Sequence, residues 1–325
     1  MKERGMNVTK KRWLKICIGL LSVLLIIDIT ASFYFYNLAI KRNEKDFLVG
    51  NKDLKVSAKA MDTFLEGDWR QWVSSQAFEI WDMQSRDGLE LQGYFLKAKK
   101  PTNKTVIFAH GYLGRAKDMG LYGQYYYDEL GYNLLTVDLR GHGQSEGDYI
   151  GFGWPDRLDL LDWIKLVLKN QGAQSEIVLH GLSMGAATVL MASGEDLPNH
   201  VKAIIADSPY TSVYDLFEYQ MHRMYHLPAF PVLPTTSLVT NMQAGYSLTE
   251  ASALEQVKKA TVPILYIHGN NDTFVPTEMS KELYENTKSE TDIITFDGAN
   301  HGEAFAVQKD KYIKKLNEFL QKYVK

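Results

Sequence analysis

The stretch Ile177-Val178-Leu179-His180-Gly181-Leu182-Ser183-Met184-Gly185-Ala186-Ala187-Thr188-Val189-Leu190 decides the fold. It opens on a β-branched apolar run and closes on a series of helix formers, with a serine at the junction between two glycines. The pattern predicts a strand, a sharp reversal and a helix. So tight a reversal forces its apex residue into strained backbone, and a side chain at 181 or 185 would meet the neighbouring strand or helix. The hydroxyl is thereby lifted above the carboxyl end of a sheet. A serine hydroxyl is a weak nucleophile, so the arrangement is useful only with a base beside it.

Two partners follow downstream. The unbroken apolar run 262–268 predicts a buried strand, and Gly269-Asn270-Asn271-Asp272 turns after it. The run Ile293-Ile294-Thr295-Phe296 predicts another, followed by Asp297-Gly298-Ala299-Asn300 and then His301-Gly302. Serine, aspartate and histidine each stand on the loop after their own strand, in the chain order of one hydrolase fold. Upstream, Thr105-Val106-Ile107-Phe108-Ala109 leads into His110-Gly111, and a strand at 132–137 leads into Asp138-Leu139-Arg140-Gly141-His142-Gly143-Gln144-Ser145.

On these motifs residues 78–325 resemble an α/β-hydrolase. His110-Gly111 is similar to that family's oxyanion loop, and 138–145 to its Asp-x-Arg-Gly-His-Gly-x-Ser loop. In general layout the chain resembles membrane-anchored bacterial cell-surface members. The resemblance implies a nucleophile Ser183, a base His301 and an orienting acid Asp272. It also implies an oxyanion hole from the backbone N–H groups of Tyr112 and Met184. Asp207 also follows a strand and is the competing acid; the turn before Asp272 favours the latter. His110, His142, His180 and His268 read as structural, and His222 and His226 fall outside the motifs.

Strands near 78–81, 89–95, 105–109, 132–137, 176–180, 201–206, 262–268 and 291–296 alternate with helical stretches near 117–130, 155–170, 184–194, 277–288 and 305–323. This predicts an α/β fold, with an eight-stranded, mostly parallel sheet covered on both faces. Alternation and Arg86-Asp87-Gly88 predict that the first two strands form an antiparallel pair. More than fifty residues separate Asp207 from Val262, too many for a simple connection; about 209–258 reads as a helical lid. Its methionines and aromatics suit an adaptable apolar pocket, and equally suit packing the lid onto the sheet.

The N-terminus differs in character. Lys10, Lys11, Arg12 and Lys15 precede an apolar stretch from Ile16 to about Ile40, with Trp13 at one end and Phe33-Tyr34-Phe35-Tyr36 at the other. Roughly 20 apolar residues span a bilayer, so residues 1–42 read as a tail and transmembrane anchor. Asp28 stands against this, since a carboxylate near the bilayer centre costs ~2.5–3.5 kcal/mol. The rival is a signal peptide with a core at 16–27, cleaved after Ala31. Both readings export the domain, and charge before the span (Lys2, Arg4, Lys10, Lys11, Arg12, Lys15) against charge after it (Lys41, Arg42, Lys45, Lys52, Lys55) favours an inside N-terminus. Residues 43–75 read as a juxtamembrane stalk whose Trp69 and Trp72 pack on the main domain.

Formal net charge is −3, with no basic run beyond the N-terminal tail, so nucleic acid is not an expected partner. Cys17 is the single cysteine, which excludes an internal disulfide. No Cys/His spacing, dinucleotide fingerprint or phosphate loop is present, and no metal or cofactor is expected. The expected function is an extracytoplasmic serine hydrolase cleaving carboxylic esters of small-molecule or lipid-like acyl substrates. The same residues also serve peptidases and acyltransferases. A binding module that kept only the shell would have lost one of the three residues, and all three are here.

Overall fold

The computed structural model describes residues 2–43, 45 and 57–325. Residues 44 and 46–56 of the expected stalk, with Lys52 and Lys55, lie outside the described residues. Among those described, eight strands form one sheet: β1 (Glu79–Gln84), β2 (Glu90–Leu96), β3 (Lys104–Ala109), β4 (Asn133–Val137), β5 (Glu176–Leu182), β6 (Val201–Asp207), β7 (Ile264–Gly269) and β8 (Thr291–Phe296). Their order is β1-β2-β4-β3-β5-β6-β7-β8. β2 runs antiparallel to β1 and β4, and every other neighbouring pair is parallel. This is the α/β-hydrolase sheet that the alternating pattern predicts.

Side chains alternate across the sheet and divide the core into two halves. Ile107, Leu135, Leu179 and Ile204 face Trp163 and Leu190 on one side. Val106, Phe108, Val178 and Ile205 face Tyr122 and Phe319 on the other. The register sets the carboxyl ends level, pairing Ala109 with Gly181, Gly181 with Ala206, and Gly269 with Phe296. The loops bearing His110, Ser183, Asp207, Asp272 and His301 are therefore brought to one edge.

In chain order the helices are α1 (Lys2–Phe35), α2 (Ala58–Met61), α3 (Trp69–Ser75), α4 (Gly120–Asp128), α5 (Asp156–Gln171), α6 (Met184–Ser193), α7 (Val213–Tyr225), α8 (Val232–Ala244), α9 (Ala253–Val257), α10 (Thr277–Asn286), α11 (Ala304–Val307) and α12 (Lys309–Tyr323). Trp69 is buried, and Trp72 meets Tyr127 edge to face at 5.7 Å. Between β6 and β7 the chain makes its long excursion through α7, α8 and α9. Ser212 caps α7 by accepting from Asp215 N at 3.0 Å, and Gly245, at φ 75°, ends α8 in the left-handed region that its missing Cβ permits.

α1 runs into a π-helical turn at Tyr36–Ile40. Together they contain a helix, Lys10–Ile40, long and apolar enough to cross a membrane; its most apolar stretch of 18 residues has a mean hydropathy of 2.4 and is little covered by the rest of the chain. Its last part is docked on the excursion. Ser32 Oγ donates to Val232 O at 3.1 Å, Thr235 Oγ1 donates to Asp28 Oδ2 at 2.6 Å, and Phe35 meets Tyr225 edge to face at 5.3 Å. The isolated carboxylate of the apolar stretch thus has a hydroxyl partner supplied from α8.

Candidate active site

Ser183 sits between β5 and α6 at φ 54°, ψ −114°, the strained apex that the two glycines imply. The glycines are required for clearance. A Cβ on Gly181 would lie 2.1 Å from Gly185 O, and one on Gly185 would lie 2.0 Å from Ala109 O. β5, the first turn of α6 and the end of β3 thus close on one another through bare backbone, and the serine is the side chain left pointing out.

His301 Nε2 lies 2.8 Å from Ser183 Oγ, and His301 Nδ1 lies 2.7 Å from Asp272 Oδ2. The backbone N–H groups of Phe274 and Val275 donate to Asp272 Oδ1 at 2.9 and 2.8 Å. His268 Nε2 donates to Asp272 Oδ2 at 3.0 Å, while His268 Nδ1 takes the hydroxyl of Ser280 at 2.6 Å. Burial works against the Asp272 carboxylate, but His301 and His268 outweigh it and hold its pKa well below the usual range. Burial likewise opposes a charged His301; the charge and hydrogen bond of Asp272, assisted by Asp207 and Glu303, reverse this and raise its pKa above 6.5. An imidazole so placed can take a proton from Ser183 and be stabilised once charged.

Asp207, the competing acid, is bonded elsewhere. Its Oδ2 accepts from Tyr122 at 3.3 Å and Tyr312 at 3.1 Å, and its Oδ1 from Ser208 at 3.0 Å. Burial pushes its pKa up to about 6. Ser208 Oγ in turn accepts from Gly302 N at 3.3 Å, so this pair steadies the His301 loop from behind.

The loop after β3 is held on both sides of Tyr112. His110 donates from Nδ1 to Gly111 O at 2.8 Å and accepts Leu139 N at Nε2, 3.1 Å away. His142 donates from Nδ1 to Arg140 O at 3.0 Å and accepts Leu113 N at 3.3 Å. Both rings serve as fixed neutral bridges, since burial pushes their pKa values down to about 4 and about 3. A Cβ at Gly111 would lie 3.5 Å from Ser183 Cβ, which places the 111–112 backbone beside the nucleophile, opposite the start of α6 at Met184. Asp138 fastens the same region by accepting Ala116 N at 2.7 Å and Gln144 N at 2.9 Å. His180 is buried between Tyr126 and Tyr312, and His222 and His226 stand in and just after the last turn of α7.

Ser183 opens on two spaces. One is a narrow apolar slot of ≈ 90 Å³ between Tyr112, Phe152 and Met184 on the sheet side and Phe217, Met221 and Leu233 from the excursion. Among the described residues its lining contains no Asp, Glu, Lys or Arg. The other is a wider depression of ≈ 230 Å³, bordered by Phe64, Gly111, Leu182, His301 and Gly302. Sequence reading missed two features here. His268 reads from sequence as the structural end of a strand, yet it touches Asp272. The slot is also walled by Phe35, Leu38 and Ala39, from the end of the apolar N-terminal helix. A lone carboxylate in an apolar run was the available sign that this helix has a protein partner.

Comparison with known proteins agrees with the α/β-hydrolase fold. Residues 121–325 match the model of the prolyl oligopeptidase family. The uncharacterized protein YqkD of Bacillus subtilis is 29% identical over 233 residues, 72% of this chain and 76% of that protein. The lysophosphatidylserine lipase ABHD12 of Danio rerio is 28% identical over 59% of this chain and 49% of its own length. Among solved structures, the Pyrococcus furiosus esterase Pf2001 superposes with a TM-score of 0.63 at 26% identity, covering 78% of this chain and 96% of that one.

Proposed function

The chain belongs to the prolyl oligopeptidase family of α/β-hydrolases, and on that footing we propose that it is a membrane-anchored carboxylesterase working through an acyl-enzyme on Ser183. One juxtaposition supports the reading: the Ser183–His301–Asp272 chain of hydrogen bonds opens on a slot without charged side chains. Such a slot suits an acyl group and offers no charged side chain to pair with a peptide terminus.

In this mechanism His301 Nε2 takes the Ser183 proton as Oγ bonds to the ester carbonyl carbon. The oxyanion is received by the N–H groups of Tyr112 and Met184, the latter at the positive end of α6. Collapse breaks the bond to the alkoxide, which leaves with the proton from His301. Water, deprotonated by the same nitrogen, then attacks the acyl-enzyme, and Ser183 leaves with that proton. Asp272 keeps the imidazole in the right tautomer and stabilises its cation.

α1 is read as a retained single-pass anchor with the domain on the extracytoplasmic side. The contact between Asp28 and Thr235 supports retention over cleavage after Ala31, because cleavage there would remove Asp28. The test is turnover of nitrophenyl esters from acetyl to palmitoyl by the full chain and by Ser183→Ala, with labelling by a fluorophosphonate. Ser183-dependent turnover and labelling are expected. A folded protein inert to both reagents would sink the proposal.

A further inference from the structure

α1 ends inside the site. Phe35, Leu38 and Ala39 wall the slot that begins at Ser183, and Tyr112 OH donates to Ala39 O at 2.7 Å, so the loop beside the nucleophile is bonded to the helix end. Lys45 Nζ caps the carbonyls of Leu38 and Lys41 at 2.8 and 2.6 Å. Beyond the turn, Ile150 N donates to Ile40 O at 2.7 Å and Arg42 donates to Ser145 O at 2.8 Å, in the loop that follows β4.

Helix geometry places this end relative to a bilayer. From Lys15 to Asp28 an upright helix rises about 20 Å, and from Lys15 to Phe35 about 30 Å, the thickness of the hydrocarbon core. With Lys15 at one face, Asp28 and its partner Thr235 lie within the hydrocarbon, and Phe35 lies at the opposite face. The start of α8 is then immersed beside α1. The exposed apolar side chains of that region fit this placement: Leu227 and Phe230 before α8, and Leu238 and Met242 along it, the latter two 60% and 70% exposed. The slot, bounded by Phe35, opens at the level of the headgroups.

The two spaces at Ser183 have distinct roles. His301 borders only the wider depression, and the leaving alcohol must take its proton from His301. The acyl chain therefore belongs in the slot, whose ≈ 90 Å³ amounts to about six to nine water-sized spaces. That is room for one chain. We propose, building on the esterase reading, that the end of α1 is part of the acyl-binding wall and that the substrate is a single-chain ester lipid drawn from the bilayer holding α1, its chain in the slot and its alcohol beside His301.

The experiment uses the full chain reconstituted in phosphatidylcholine vesicles containing mono-oleoylglycerol. Oleate release is followed in parallel with hydrolysis of nitrophenyl esters from acetyl to palmitoyl. Wild type is expected to release oleate from mono-oleoylglycerol and to leave the two-chain host lipid intact. Leu38→Trp, which narrows the slot, should lower the oleoyl-to-acetyl rate ratio at least tenfold, and Leu38→Ala should move the preferred chain length upward. Equal losses on long and short esters in both variants would make Leu38 merely structural and overturn the inference while the esterase reading stood. Hydrolysis of acetyl esters without mono-oleoylglycerol, or of the host lipid at a similar rate, would overturn the substrate class alone. Absence of all Ser183-dependent turnover would remove the reading and the inference together.

Discussion

Replacing Gly185 by alanine adds one methyl group where α6 leaves Ser183. That carbon would stand 2.0 Å from Ala109 O, 2.4 Å from Ala109 C and 2.7 Å from His110 O, all backbone atoms. Since real Cβ contacts stay beyond 3.0 Å, helix and strand must part by at least about 1.0 Å. Neither can yield cheaply. Every residue of α6 is buried, the helix is packed against α5 and α9, and β3 is central in the sheet. Overpacking of this kind costs ~1–3 kcal/mol of stability. The same shift carries Ser183 and Met184 away from His301 and Tyr112. A misplacement of about 1 Å costs ~10²-fold in rate, or ~2.7 kcal/mol of transition-state stabilisation. Gly111→Ala is the contrast, since its Cβ would make only ordinary contacts at 3.5 Å. The assays are thermal unfolding by circular dichroism and kcat/KM on nitrophenyl butyrate. Gly185→Ala should lose both stability and activity, and Gly111→Ala should retain the wild-type melting temperature. A Gly185→Ala enzyme within threefold of wild type in kcat/KM and unchanged in melting would refute the clearance argument.

Two further outcomes concern the proposed base. His301 acts when neutral and its pKa is raised above 6.5, so kcat/KM should climb with pH through an acid limb centred above 6.5 and fall away below it. Asp272→Asn should lower kcat by about 10³–10⁴-fold and move that limb to lower pH, because a cause of the raised pKa is gone; a pH–rate profile reads both. His268→Phe deletes a buried donor to Asp272 and leaves Ser280 without its ring partner, at a cost of ~1–3 kcal/mol. If that cost falls on the transition state, kcat drops ~10–100-fold with KM little changed; loss of melting temperature alone would place His268 in the fold and not in the support of Asp272.

Much of this architecture is legible along the chain because its determinants are local. A glycine on each side of a serine, a strand before and a helix after, specify a backbone conformation within a few residues. Asp272 and His301 are found the same way, each at the end of its own apolar run. The sheet follows from strand and helix alternation, although the single helix expected at 305–323 is interrupted between Val307 and Lys309. What is not legible is long-range. The contact of Asp28 with Thr235 joins residues 207 apart in sequence, and no periodicity in an apolar stretch says which side chains another helix will cover. His268 lies four residues before Asp272, but only the fold of the turn between them points its ring back at the carboxylate.

The end of the N-terminal helix is fastened to the domain at several points. α1 passes without a break into the turn at Tyr36–Ile40, Ile40 is already bonded to Ile150, and Ala39 is bonded to Tyr112. Among the described residues these bonds tie the helix end directly to the loops beside Ser183, so whatever embeds α1 bears on the height and tilt of Ser183 above it. A catalyst on a long leash samples a volume, whereas one held this closely samples a plane. The rate of the proposed enzyme would then be governed by the mole fraction of substrate among its neighbouring lipids and not by its molarity in the surrounding water.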